Sequence, residues 1–109
     1  MFVGTSAIGI CYEVIKPEYR KLVKERVERF HDVIEIKKEQ LLNFCGNCLE
    51  IADKDGNLML AMSTTGFNGY TTLQKNKIKK HFKKIIHSDI QTIEKYGGGS
   101  ARCMLAELF

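Results

Sequence analysis

Within 109 residues the order strand, helix, strand occurs twice at similar spacing. Nothing else in the chain restricts its fold so strongly, because each such unit must bury one sheet face against its own helix. In the first unit, Ala7 to Ile15 reads as a strand rich in Ile, Val and Tyr, and Lys16-Pro17 stops it. Pro17 suits the first turn of a helix, where its missing N–H costs nothing. Tyr19, Leu22, Val23, Val27 and Phe30 then fall on one helical face, with Lys, Arg and Glu opposite. His31-Asp32 closes that helix, and Val33 to Ile36 follows as a short strand. Glu39 to Leu42 forms one helical turn between the units.

The second unit opens with a hairpin. Phe44 to Ala52 and Asn57 to Ser63 read as its strands, joined by Asp53-Lys54-Asp55-Gly56-Asn57 with the Asp-Gly signal of a tight connection. Thr64 to Tyr70 reads as a loop, and Thr71 with Gln74 as a capping box. Leu73, Ile78, Phe82, Ile85 and Ile86 supply the buried stripe of the helix that follows, and Ile90 to Glu94 is a last short strand. The two halves share pattern but little sequence. With no linker or low-complexity tract, residues 1–109 form one domain of class α/β.

Composition excludes several function classes. A chain 44% hydrophobic and 28% charged is an ordinary soluble globular one. No apolar run approaches a membrane span, and Met1 to Ser6 reads as a strand start rather than a basic leader. These features predict a cytoplasmic protein with no membrane partner. A net charge of +4 does not imply nucleic acid. Lys75, Lys77, Lys79, Lys80, Lys83 and Lys84 lack aromatic interleaving and read as the wet side of an amphipathic helix. Four cysteines without a leader read as reduced thiols.

The chemistry-bearing stretch is the terminal Gly97-Gly98-Gly99-Ser100-Ala101-Arg102-Cys103-Met104-Leu105-Ala106-Glu107-Leu108-Phe109. Its glycines can lie against a ligand, and the apolar run after them alternates like a strand, with Cys103 at the strand's start and Arg102 facing the other way. A thiol where a flexible turn meets a strand is a sensible nucleophile. Composition alone favours an inert core cysteine, because buried thiols are common. Cys45-Gly46-Asn47-Cys48 could be half a zinc site, a redox pair or chance, yet no second C-x-x-C or H-x-x-x-H is present. No metal and no cofactor are expected. Asn47 could bond a ligand or its own turn. Met59 and Met62 read as core, and His31, His81 and His87 as surface or helix-end residues.

Gly-Gly-Gly-Ser-Ala-Arg-Cys-Met-Leu-Ala-Glu closely resembles the C-terminal signature of the guanidino-group-modifying enzymes, or penteins. Phe44-Cys45-Gly46-Asn47-Cys48-Leu49-Glu50 and the Asp55-Gly56-Asn57 turn look like the internal motif of the amidinotransferase-like citrulline-utilisation hydrolases. The likeness runs from about residue 3 to the end. It implies a propeller of five β-β-α-β units, of which this chain would be two. It implies Cys103 as nucleophile, with Gly98, Gly99, Ser100 and Asn47 as substrate-binding residues around a small guanidino or ureido substrate. The thiolate would add to the guanidino or ureido carbon, ammonia or an amine would leave, and water or an acceptor amine would release the product.

Family members are longer, and their catalytic histidine and guanidinium-clamping carboxylates precede the segment that aligns with Met1. The resemblance therefore implies a C-terminal fragment that is inactive alone, completed by a missing N-terminal portion or self-associating through uncovered flanks. The alternative is a non-catalytic small α/β binding or interaction module.

Overall fold

The computed structural model describes residues 1–108. Phe109, last residue of the predicted terminal strand, lies outside them. The recurrence in the sequence becomes two three-stranded sheets of identical topology. In the first, β1 (Phe2–Val3) pairs antiparallel with β2 (Ala7–Ile10), and β2 pairs parallel with β3 (Asp32–Glu35) across helix α1 (Pro17–Glu28). Helix α2 (Lys38–Leu42) connects the halves. In the second, β4 (Leu49–Ala52) pairs antiparallel with β5 (Leu58–Ser63). After α3 (Thr64–Gly69) and α4 (Thr72–His81), β6 (Lys84–Ser88) returns parallel to β5. Helices α5 (Gln91–Gly97) and α6 (Ala101–Met104) follow. Each sheet is thus a β-β-α-β unit with its second strand in the middle.

The local signals act as expected at the hairpin and the cap. Asp53 Oδ1 accepts from the N–H groups of Asp55 and Asn57, both at 2.9 Å, closing the turn between β4 and β5. Thr71 and Gln74 form both arms of their capping box. Elsewhere tertiary contacts move the boundaries. β2 stops at Ile10, because Arg20 reaches back to the carbonyls of Glu13 and Ile15 and holds a 3-10 turn there. Ser63 accepts from Gly66 N–H at 3.0 Å, which caps α3 where a loop was expected. α4 ends at His81 rather than running through Ile86. Phe82 turns extended, Lys83 N–H bonds Leu58 O at 2.8 Å, and Ile85 and Ile86 join β5 as a strand. The residues expected to form the last strand are helical instead, with Asp89 accepting from Gln91 N–H at the start of α5.

One core spans both sheets, built on Phe2, Ile34, Ile36, Leu60, Ile78 and Phe82. Phe2 meets Phe82 edge-on at 6.5 Å. Polar clamps tie the units together outside it. Thr5 donates to Glu50 through both its N–H and its hydroxyl. His81 spans Asp32 and Ser6 at 2.8 and 2.9 Å, and Lys77 bonds Val33 O and Asp32. The apolar face read on α1 is only half used. Val23 and Val27 are partly buried, whereas Tyr19, Leu22 and Phe30 are exposed, as is Leu73 on α4. Among the described residues no helix is long and apolar enough to cross a membrane.

Candidate functional site

Two loops make the site. The first leaves α2 through Phe44, whose φ of +60° is left-handed for a side chain that rarely adopts it. Strain of this kind persists where the surroundings over-determine it, and here they do. Cys45 N–H bonds Gln40 O at 3.1 Å, and Asn47 N–H bonds Phe44 O at 2.9 Å. The Cys45 thiol donates to Gly66 O and the Cys48 thiol to Cys45 O. The Tyr70 hydroxyl donates to Cys45 O and lies 3.8 Å from Cys48 Sγ. Both cysteines are fully buried. Burial pushes the Cys45 thiol up to about 11 and the Cys48 thiol up to about 12, so both stay protonated and anchor the loop. Among the described residues no three His, Cys, Asp or Glu side chains gather as a metal site. What the loop presents at the surface is the Asn47 side chain.

The second loop follows α5. Gly98 caps that helix with φ +69°, a conformation that favours glycine, and its N–H returns to Glu94 O at 3.2 Å. A side chain at Gly99 would meet Cys103 Cβ at 3.2 Å and Sγ at 3.3 Å, so the missing Cβ lets backbone approach the thiol. Ser100 is extended and wholly buried, and the chain then coils. Ala101–Met104 is a helical turn, with Cys103 N–H on Ser100 O at 3.0 Å. This corrects the expectation of a strand starting at Cys103. A buried contact that holds Ser100 bends the chain before alternation can begin. Arg102 consequently does not oppose Cys103 across a pleat; its N–H reaches toward the same partner.

That partner is Asn47. Its Nδ2 donates to Cys103 Sγ at 3.1 Å, and its Oδ1 accepts from Arg102 N–H at 2.9 Å. Residues 56 apart in sequence thus meet at one thiol, which is exposed. The Asn47 hydrogen bond, then the Ser100 backbone, hold the Cys103 thiol below its ordinary value of 9.0, and the Arg102 charge adds to them. A solvent-accessible thiol with a depressed pKa is chemically a nucleophile.

The other expected residues divide. A side chain at Gly99 would press on the thiol, while one at Gly98 would face open space. Ser100 contributes backbone; its hydroxyl is turned inward to Glu94 at 2.5 Å. Glu94 itself went unnoticed in the sequence. It is 7% exposed and also accepts from Thr65 Oγ1 at 2.8 Å. Burial would raise its pKa, but hydrogen bonds from Ser100, Ser63 and Thr65 outweigh that and keep it below the ordinary carboxylate value. Read as the end of a strand, a lone glutamate there carries no signal of a buried contact.

His81 is engaged in the clamp between the units. His87 lies on β6 rather than a helix, with Nδ1 2.9 Å from Thr64 Oγ1 and its ring stacked on Phe67. The face of the α6 turn formed by Ala101, Met104 and Leu105 lines an apolar cavity of about 200 Å³ with Met62 and Ile86. Larger open clefts lie elsewhere, one beside α1 at Leu22, Arg26 and Phe30.

Comparison with known proteins gives one match. The family model described as N,N dimethylarginine dimethylhydrolase, eukaryotic, covers residues 1–109. Neither a curated protein nor a solved structure matches significantly.

Proposed function

Since the chain belongs to the eukaryotic N,N dimethylarginine dimethylhydrolase family, we propose that it serves the hydrolysis of a methylated arginine guanidino group, with Cys103 as the nucleophile. The observation that carries this reading is the exposed thiol held at 3.1 Å by Asn47 Nδ2. In the proposed reaction the thiolate adds to the guanidino carbon and a C–S bond forms. The methylated amine leaves with a proton, giving a thiouronium adduct. Water then adds to that carbon, the thiolate departs, and a ureido product is released. Backbone N–H groups around Gly99 and Ser100 would steady the tetrahedral intermediate.

The proton for the leaving amine needs another source. His81 is committed to Asp32 and Ser6, His87 to Thr64 and Phe67, and His31 lines a cleft with Glu28 and Asp32 that does not include Cys103. We therefore read the chain as the nucleophile-bearing part of a larger site, its two sheets being two units of the five-unit ring that the resemblance implies. The acid–base group and the guanidinium clamp would come from outside residues 1–109.

Incubating the chain with dimethylarginine, then quenching in acid for peptide mass analysis, tests the reading. The expected result is an adduct on the Cys103 peptide that Cys103→Ser abolishes, with steady turnover only when an N-terminal pentein segment is supplied. Turnover that survives Cys103→Ala would overturn it. The exposed Tyr19 and Leu22 on α1 and Phe30 just after it favour a second reading, a non-catalytic interaction module. It gains if Cys103→Ala changes no measurable property.

A further inference from the structure

We propose that Glu94 is the positioning residue of Cys103: it holds Ser100, and through Ser100 the 99–103 turn, where the thiol meets Asn47. The inference rests on Cys103 being the reactive thiol.

The reasoning starts from what α6 lacks. A helix of four residues has too few hydrogen bonds to hold itself. Its placement must therefore come from contacts outside it, and the structure offers two polar anchors. One is Asn47, which accepts from Arg102 N–H and donates to Cys103 Sγ. The other is Ser100, immediately before the turn, whose hydroxyl donates to Glu94 Oε1 at 2.5 Å. Ser100, Ser63 and Thr65 favour the ionised carboxylate, and a hydroxyl bond to an ionised carboxylate is about twice as strong as a neutral one.

The far side of Glu94 is attached to the scaffold. Its Oε2 accepts from Thr65 Oγ1 in the first turn of α3, directly after the central strand β5. Glu94 thus ties the turn carrying Cys103 to the most buried strand of the second sheet. A buried carboxylate is costly unless its oxygens are occupied, and a role in covering α5 would be filled more cheaply by an aliphatic side chain. The Ser100 hydroxyl is wholly buried too. Removing the carboxylate strands that hydroxyl, and the turn gains by rotating it toward water.

A purely structural Glu94 would change stability and leave the thiol's titration alone. The test reads the titration. In the full chain, iodoacetamide alkylation of Cys103 is followed by peptide mass across the thiol range, beside thermal unfolding, for Glu94→Gln, Ser100→Ala and the double variant. Glu94→Gln keeps the shape and one oxygen acceptor, so it retains the fold. The expected result is alkylation about two- to fivefold slower at pH 7 in each single variant, with the rate–pH curve moved to higher pH. The double variant should be no slower than the slower single, because both act through one contact.

Folded single variants with an unmoved rate–pH curve would overturn the proposal, and so would strictly multiplicative losses in the double. Alkylation needs no guanidino substrate, so absent turnover leaves this result standing. If wild-type Cys103 reacts no faster than an unstructured cysteine peptide, the reactive-thiol reading fails and takes the positioning role with it.

Discussion

The two cysteine neighbourhoods use one side chain for opposite purposes. Cys45 and Cys48 sit in the core with carbonyl partners, and burial drives their thiols upward to about 11 and about 12. Cys103 sits at the surface with an amide N–H donor, and its thiol is driven downward. The sulfur is the same in each; what differs is whether water and donors or aliphatic atoms and acceptors surround it. The pairing also explains why a C-x-x-C need be neither a zinc knuckle nor a redox couple. Two protonated thiols pin both ends of a four-residue loop, and the loop holds out Asn47 to the third.

The largest effect that could break this contrast is in thiol reactivity. With Cys103 below 9.0 and Cys45 at about 11, the thiolate fractions at pH 7 differ by about a hundredfold or more. Burial of Cys45 and Cys48 widens the gap. Iodoacetamide on the native chain should label the Cys103 peptide and leave the Cys45–Cys48 peptide unmodified until denaturant is added. Equal labelling of the two peptides under native conditions would erase the distinction.

A second effect concerns stability against pH, and the two neighbourhoods act with opposite sign. The folded pKa values of Cys45 and Cys48 are raised. Their contribution is therefore complete below the unfolded value near 9.0 and is lost as pH rises toward about 11 and about 12. Tyr70, raised by burial and by Cys48, acts in the same direction. Cys103 is depressed, so its contribution is present above 9.0 and fades as pH falls through its folded pKa. Since Cys103 is exposed, the core thiols dominate. The urea midpoint should fall as pH rises above about 9, equally in wild type and Cys103→Ala. A midpoint that stays flat to the end of that range would mean that the core thiols ionise without opening the fold.

Local signals in the sequence foretold the parts of this arrangement that depend on near neighbours. The Asp53 turn, the Thr71 cap and Pro17 at the start of α1 follow from contacts a few residues apart. So does the doubled unit, since each helix and strand carries its own period. The errors fall where distant residues decide. Ile85 and Ile86 continue a helical stripe in sequence, but the parallel edge of β5 draws them into a strand. Residues 101–108 alternate like a strand, but Glu94 and Asn47 fix a helical turn at 101–104. The thiol itself was legible as a candidate from its glycines. Its link to Asn47 appears only in the structure, because no spacing rule joins residues 47 and 103. Glu94 left no usable mark, since a lone glutamate in a polar stretch reads as solvated.

A change at Asn47 is the sharpest test of how the neighbourhoods are joined. Asn47→Ala removes the donor to Cys103 Sγ and the acceptor of Arg102 N–H together, and touches neither core thiol directly. Losing one hydrogen bond to a partly charged sulfur should slow Cys103 alkylation at pH 7 by about three- to tenfold. The anchors of the loop are the thiols, Tyr70 and the backbone bonds of residues 45 and 47, all of which remain. The Cys45–Cys48 peptide should therefore stay protected, and the unfolding midpoint should barely move. Should Asn47→Ala instead expose Cys45, the loop and the thiol would form one cooperative unit, and the separation of rigid anchor from presented side chain would be lost.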